Sequence, residues 1–195
     1  RSRPSIRSNP AAPPPPKRSS PGANLEYSAI NVTLLERYEK ILEQLVLELR
    51  AHYGRRLVTC AVFGSVGRGT PREDSDVDIL VVVRDLPRGR MARVEEFLPV
   101  EERLAPLLAA RGTHEATPTL SPVLKTPEEV EFGSPLFLDM VEDAKVLYDE
   151  GGFFASCLDR LRSRLRQLGA RRVHRGNAWH WVLKPDLKPG EIFEL

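Results

Sequence analysis

Val62–Val83 reads VFGSVGRGTPREDSDVDILVVV, and the order of residue types within it decides the architecture around it. One apolar run ends at Phe63 and gives way to Gly64-Ser65; the next opens on Asp76-Val77-Asp78. Residues two apart on a strand point to the same face, with Cα atoms about 6.5–7 Å apart, so the two carboxylates can converge while Val77 packs inward. Two such charges about 5 Å apart repel by roughly 3 kcal/mol at an effective dielectric of 20, a cost that a divalent ion removes. An all-oxygen donor pair favours Mg²⁺ or Mn²⁺ over Zn²⁺, and such ions bridge carboxylates to substrate phosphates. Gly64, Gly67 and Gly69 give the intervening turn the freedom to aim several amides at one anion. Ser65 adds a hydroxyl, Arg68 a cation and Arg72 a more distant cation. There is no Gly-Lys-Ser/Thr of a P-loop, and the glycines do not match the dinucleotide fingerprint.

Outward from this stretch, helix and strand patterns interleave. Leu34, Leu35, Tyr38, Ile41, Leu42, Leu45 and Leu49 recur at three- and four-residue spacing, predicting a helix from Val32 to about Tyr53 with Gly54 as its stop. Arg56–Phe63 and Val77–Val83 read as strands, the second apolar on both faces and therefore central. The connection between them is too short for a crossover helix, so they are not a parallel pair. Arg90–Ala110 has helical spacing, to be kinked or split at Pro99 and Pro106, with Gly112 ending it. Thr117–Lys125 reads as a third strand, placed at an edge or bulge by Pro118 and Pro122. Thr126-Pro127-Glu128-Glu129 is a helix start, and Ser134-Pro135 opens a short helix to about Glu142. Lys145–Tyr148 is a fourth strand, and Phe153–Leu168 an amphipathic helix. The expected fold is α/β (α+β), a mixed sheet of about four strands with helices mainly on one face. It would fill residues 24–150, after a disordered Pro/Ser/Arg-rich tail over 1–23 and before a helix and basic, aromatic extension over 151–195 that packs on the core.

Composition constrains the setting more than the chemistry. The 195 residues are 41% hydrophobic and 29% charged with a formal charge of +2, a globular profile whose total implies no polyanionic partner. Cys60 and Cys157 are the only cysteines and no apolar run approaches a membrane span, which together with the lack of a secretory pattern predicts a cytoplasmic protein without a membrane partner. The four histidines show no metal-ligand spacing.

The central stretch resembles the signature of the DNA polymerase β nucleotidyltransferase superfamily, closest to its minimal nucleotidyltransferase branch: Gly-Ser, ten residues (Val66 to Ser75), then Asp-x-Asp. The flanks match as well, with an apolar strand before, Arg68-Gly69 inside, Ser75 ahead of Asp76 and Ile-Leu-Val after Asp78. The resemblance spans Arg56 to Val83 and extends loosely to Glu150. It implies a polymerase β-like mixed sheet and transfer of a nucleoside monophosphate from ATP or another NTP to an acceptor, with pyrophosphate released. It assigns Asp76 and Asp78 to catalysis and to Mg²⁺ or Mn²⁺, and Gly64, Ser65 and Arg68 to the nucleotide. The family adds a third carboxylate from a later strand; Thr117–Lys125 carries none, which leaves Glu115 just before it, or Glu131 and Asp139 from a helical region. The acceptor would be a protein, an RNA or a small molecule, and a separate helical partner chain is implied by the branch. The alternative is a catalytically weak or inactive nucleotide- or RNA-binding module, antitoxin-like beside such a partner, with the Arg-rich stretch Arg160–Arg175 and Trp179, His180 and Trp181 as its nucleic-acid contacts.

Overall fold

A strand that is apolar on both faces must be covered on both, and this sets the layering. The computed structural model describes the backbone of residues 21–111, 117–176 and 178–195, and side chains within these ranges from Leu34 onward, Arg111 excepted. The chain divides into two units, Arg1–Thr33 and Leu34–Leu195, and the sheet belongs to the second. The elements are α1 (Pro21–Tyr53, the side chains from Leu34), β1 (Leu57–Val62), a one-turn helix α2 (Gly64–Gly67), β2 (Val77–Val83), α3 (Arg90–Arg111), β3 (Leu120–Lys125), α4 (Pro127–Glu131), α5 (Leu136–Asp143), β4 (Lys145–Asp149), α6 (Phe153–Gln167), β5 (Arg171–Arg175) and β6 (Ala178–Val182).

Among the described residues β1 to β4 form one sheet in the order β3-β2-β1-β4. β1 runs antiparallel to β2 and β4, and β2 parallel to β3, with α3 as the crossover. Val77, Ile79, Val81 and Val83 of β2 pack with Tyr38, Ile41 and Leu45 of α1 and Phe97 and Leu104 of α3. Leu80 and Val82, of opposite parity, pack with Phe137 and Met140 of α5 and Phe154 and Leu158 of α6. The mixed four-strand sheet is as the sequence predicts, but the helices cover both faces rather than mainly one. The reason is β2 itself: at about 25 cal/mol per Å² of apolar surface, neither of its faces can be left in water.

Other departures are local. α1 begins at Pro21 rather than near Val32, proline being tolerated in a first helical turn. α3 runs as a single helix through Pro99 and Pro106. β3 starts at Leu120 and sits at the sheet edge, where Pro122 costs no ladder bond on its open side. Thr126 caps α4 through a full capping box with Glu129. The C-terminal extension contains an antiparallel hairpin of β5 and β6 that the sequence pattern does not predict. Residues 1–20 of the expected tail, Gly112 and Glu115 lie outside the described residues. Among the described residues no helix is long and apolar enough to cross a membrane.

Candidate active site

The end of β1 and the start of β2 are locked side by side, which brings the Gly-Ser turn against the Asp pair. The Phe63 N–H donates to Asp78 O at 2.9 Å, and the chain then reverses at Gly64, whose φ is +65°. The turn's own bonds begin with Gly67 N–H to Phe63 O (3.0 Å), followed by Arg68 N–H to Gly64 O (3.1 Å) and Thr70 N–H to Ser65 O (2.9 Å). The amides of Ser65 and Val66 precede that ladder, as first-turn amides do. A Cβ on Gly64 would stand 2.2 Å from Asp78 Oδ2, so the turn and this carboxylate are in direct contact and only glycine fits between them. Gly67 is confined in the same way, since a Cβ there would stand 2.7 Å from Asp143 O and 2.8 Å from Val62 O.

Asp78 is half-buried and Asp76 exposed. Burial pushes the Asp78 carboxyl above its ordinary range, the neighbouring Asp76 carboxylate pushes it further, and the Arg68 guanidinium opposes both. Asp76 and Arg68 therefore both act on the Asp78 carboxyl, in opposite senses. Asp78 also lines a cavity of about 910 Å³ along β3, beside Phe63, Arg93 and Pro122, which leaves it reachable from solvent. The oxygen-only donors suit a hard divalent ion, and the Asp78 carboxyl, pushed up by burial and by the neighbouring Asp76 charge, gains from one. Among the described residues no group of three or more His, Cys, Asp or Glu side chains forms a metal cluster. Glu115 is outside the described residues; Glu131 is exposed at the end of α4, and Asp139 is occupied by the indole N–H groups of Trp179 and Trp181, each 2.9 Å from its Oδ1.

Side chains distant in sequence complete the site. The Thr119 hydroxyl donates to Asp76 Oδ1 at 2.5 Å, from the residue just ahead of β3. The parallel register places Ser121 beside Asp78. Tyr38 of α1 shares its hydroxyl proton between Ser75 O (2.8 Å) and Arg72 O (3.0 Å), fixing the loop that delivers Asp76. Within that loop Ser65 Oγ–H donates to Ser75 Oγ (3.1 Å), which also accepts from Arg72 N–H (2.8 Å). Arg68 reaches Asp143 Oδ2 with Nη1 at 3.3 Å. The parity of Thr119 on its strand is the one sequence signal for these partners; Tyr38 carries only the signal of a core residue.

The profile of the nucleotidyltransferase domain family matches residues 42–147. Thermococcus cleftensis protein adenylyltransferase MntA is 43% identical over 77 residues, covering 40% of this chain and 71% of the relative. Methanocaldococcus jannaschii MJ1305, provisionally named a protein adenylyltransferase, is 27% identical over 130 residues, covering 66% of this chain and 83% of the relative. Among solved structures, a chain of the tri-AMPylated Shewanella oneidensis HEPN toxin in complex with MNT antitoxin aligns at 17% identity and TM-score 0.41, over 67% of this chain and 87% of its own. With an Asp-x-Asp strand set against a Gly-Ser turn, and a family match across more than half its length, this chain belongs to the nucleotidyltransferase domain family and is a nucleotidyltransferase.

Proposed function

We propose that the chain moves the AMP group of ATP onto a hydroxyl of another protein. The acceptor oxygen attacks the α-phosphorus, the bond from that phosphorus to the bridging oxygen breaks, pyrophosphate leaves, and the hydroxyl proton passes to solvent. The observation that carries this reading is the contact between the Gly64 turn and Asp78 Oδ2, because amides that would cradle a phosphate and a carboxylate that would hold a metal then lie within the span of one triphosphate. The Ser65 and Val66 amides and the Ser65 hydroxyl would hold phosphate oxygens. Arg68 would offset their charge, and Thr119 would keep Asp76 in place. Asp76 and Asp78 would hold Mg²⁺ or Mn²⁺, which supplies charge neutralisation on the transferring phosphoryl group. ATP as donor and protein as acceptor are supported by the adenylyltransferase names of the two curated relatives.

A second reading, nucleotide binding without transfer, is favoured by the neighbours of the Asp pair just ahead of and within β3, Thr119 and Ser121, which are hydroxyls and not acids. One experiment separates the two. The full chain is incubated with α-³²P-labelled ATP, Mg²⁺ and a whole-cell protein extract, beside the Asp76→Asn/Asp78→Asn variant. Transfer predicts protein-bound label that depends on the chain and falls by at least about 10²-fold in the variant, the scale for removing groups that stabilise transition-state charge. The variant should keep its fold with an equal or higher Tm: a carboxyl whose folded pKa is raised loses stability as pH climbs through that value, and an amide does not. Label transfer that survives the double substitution would overturn the assignment, and ATP binding without any transfer would select the second reading.

A further inference from the structure

The hairpin of β5 and β6 lies beyond the residues matched by the nucleotidyltransferase family, yet it reaches the cation of the Gly-Ser turn. Arg172 of β5 makes two parallel bonds to Asp143, Nη1 to Oδ1 at 2.9 Å and Nη2 to Oδ2 at 2.8 Å. The side chains of this pair are only 12% and 10% exposed. Asp143 Oδ2 also accepts from Arg68. Trp179 of β6 offers its ring to both guanidinium groups, 4.1 Å from that of Arg172 and 4.9 Å from that of Arg68. Its indole N–H is tied to Asp139 of α5, which fixes the ring. The Asp143 carbonyl in turn abuts Gly67, so the end of α5, the hairpin and the turn form one packed unit.

The charge balance of this unit matters. Arg172 already neutralises Asp143 with a bidentate pair, so the contact with Asp143 orients Arg68 without cancelling its charge. A free arginine carries about 2 kcal/mol of rotamer entropy that must be lost when it grips a phosphate. An arginine already held against an indole face and a carboxylate has lost most of it beforehand, and that preorganisation appears as affinity. We infer that Arg172 and Trp179 are positioning residues for Arg68, and that the C-terminal hairpin presets the arginine that meets the triphosphate. This rests on the proposed role of Arg68 at the nucleotide.

The test is calorimetric titration of the full chain with ATP and Mg²⁺, comparing wild type, Trp179→Ala, Trp179→Phe, Arg68→Ala and the Arg68→Ala/Trp179→Ala double variant. Trp179→Ala should weaken ATP binding about tenfold, the scale of a well-placed cation–π contact. Trp179→Phe keeps an aromatic face but loses the N–H bond to Asp139, and should bind more weakly than wild type and more tightly than Trp179→Ala. In the Arg68→Ala background the tryptophan change should have no further effect. A general loss of fold would instead persist in that background, so losses that simply add overturn the inference, as does a Trp179→Phe variant as weak as Trp179→Ala or a Trp179→Ala variant that binds like wild type. If wild type itself binds no ATP, the functional reading fails and takes the inference with it; binding by wild type with no coupling sinks the inference alone.

Discussion

Gly64 is where conformation and chemistry meet in one residue. Its φ of +65° disfavours any side chain, and the missing Cβ leaves the space that Asp78 Oδ2 occupies. Gly64→Ala should therefore cost about 1 kcal/mol or more through backbone strain alone. It should also displace the Asp78 carboxylate, so activity falls much further than stability; AMP transfer measured beside a denaturant midpoint checks this, and a variant that keeps full activity would mean that the contact is incidental. Gly64, Ser65, Asp76 and Asp78 are legible because the motif is local: two strand ends and the turn between them fall within a single stretch. Their partners are not legible in the same way. Thr119 stands 43 residues from Asp76, Tyr38 37 from Ser75 and Asp143 75 from Arg68, so only the folded sheet brings them together.

Elements are readable wherever a local rule fixes them. The continuous apolar run gives β2 its limits, and the capping residues of Thr126–Glu129 give α4 its start. The hairpin of β5 and β6 escapes such rules because its strands, RRVHR and AWHWV, carry charge and indole rather than alternating aliphatic residues, although Gly176-Asn177 between them is a recognised turn signal. What holds this hairpin is electrostatic and aromatic. Burial pushes the Asp143 carboxyl up, but the hydrogen bonds and charges of Arg172, then Arg68, outweigh it and leave it below the usual range. A depressed carboxyl stabilises the fold above its unfolded value of about 4 and loses that contribution as pH falls through its folded value. Arg172→Gln should thus lower stability by about 3 kcal/mol near neutral pH, the lower end for breaking a buried pair because Arg68 remains. The gap to wild type should close as the solution is acidified and Asp143 is protonated. Denaturation curves at pH 7, 5 and 3 test this, and a gap that stays constant would assign the effect of Arg172 to packing.

At the scale of the molecule, both faces of the sheet serve the site. The face carrying α1 supplies Tyr38 under the loop before Asp76, and the face carrying α5, α6 and the hairpin supplies the Asp143–Arg68 contact. That second face could not be anticipated from β2 alone, because an apolar strand states that it is covered without stating by what. The arginine-rich C-terminal region is divided in its use: Arg172 is paired with Asp143 inside the fold and Arg162 and Arg164 bond to Val141 O and Glu194 O, whereas Arg160, Arg166, Arg171 and Arg175 are exposed. The central claim, that the Asp pair and the Gly-Ser turn grip one metal–triphosphate, is tested most directly by a crystal structure of the full chain with Mn²⁺ and α,β-methylene-ATP. The account predicts anomalous density at about 2.0–2.3 Å from carboxylate oxygens of both Asp76 and Asp78, with phosphate oxygens against Ser65. Metal and triphosphate bound away from Gly64–Gly67, or metal held by neither acid, would contradict it.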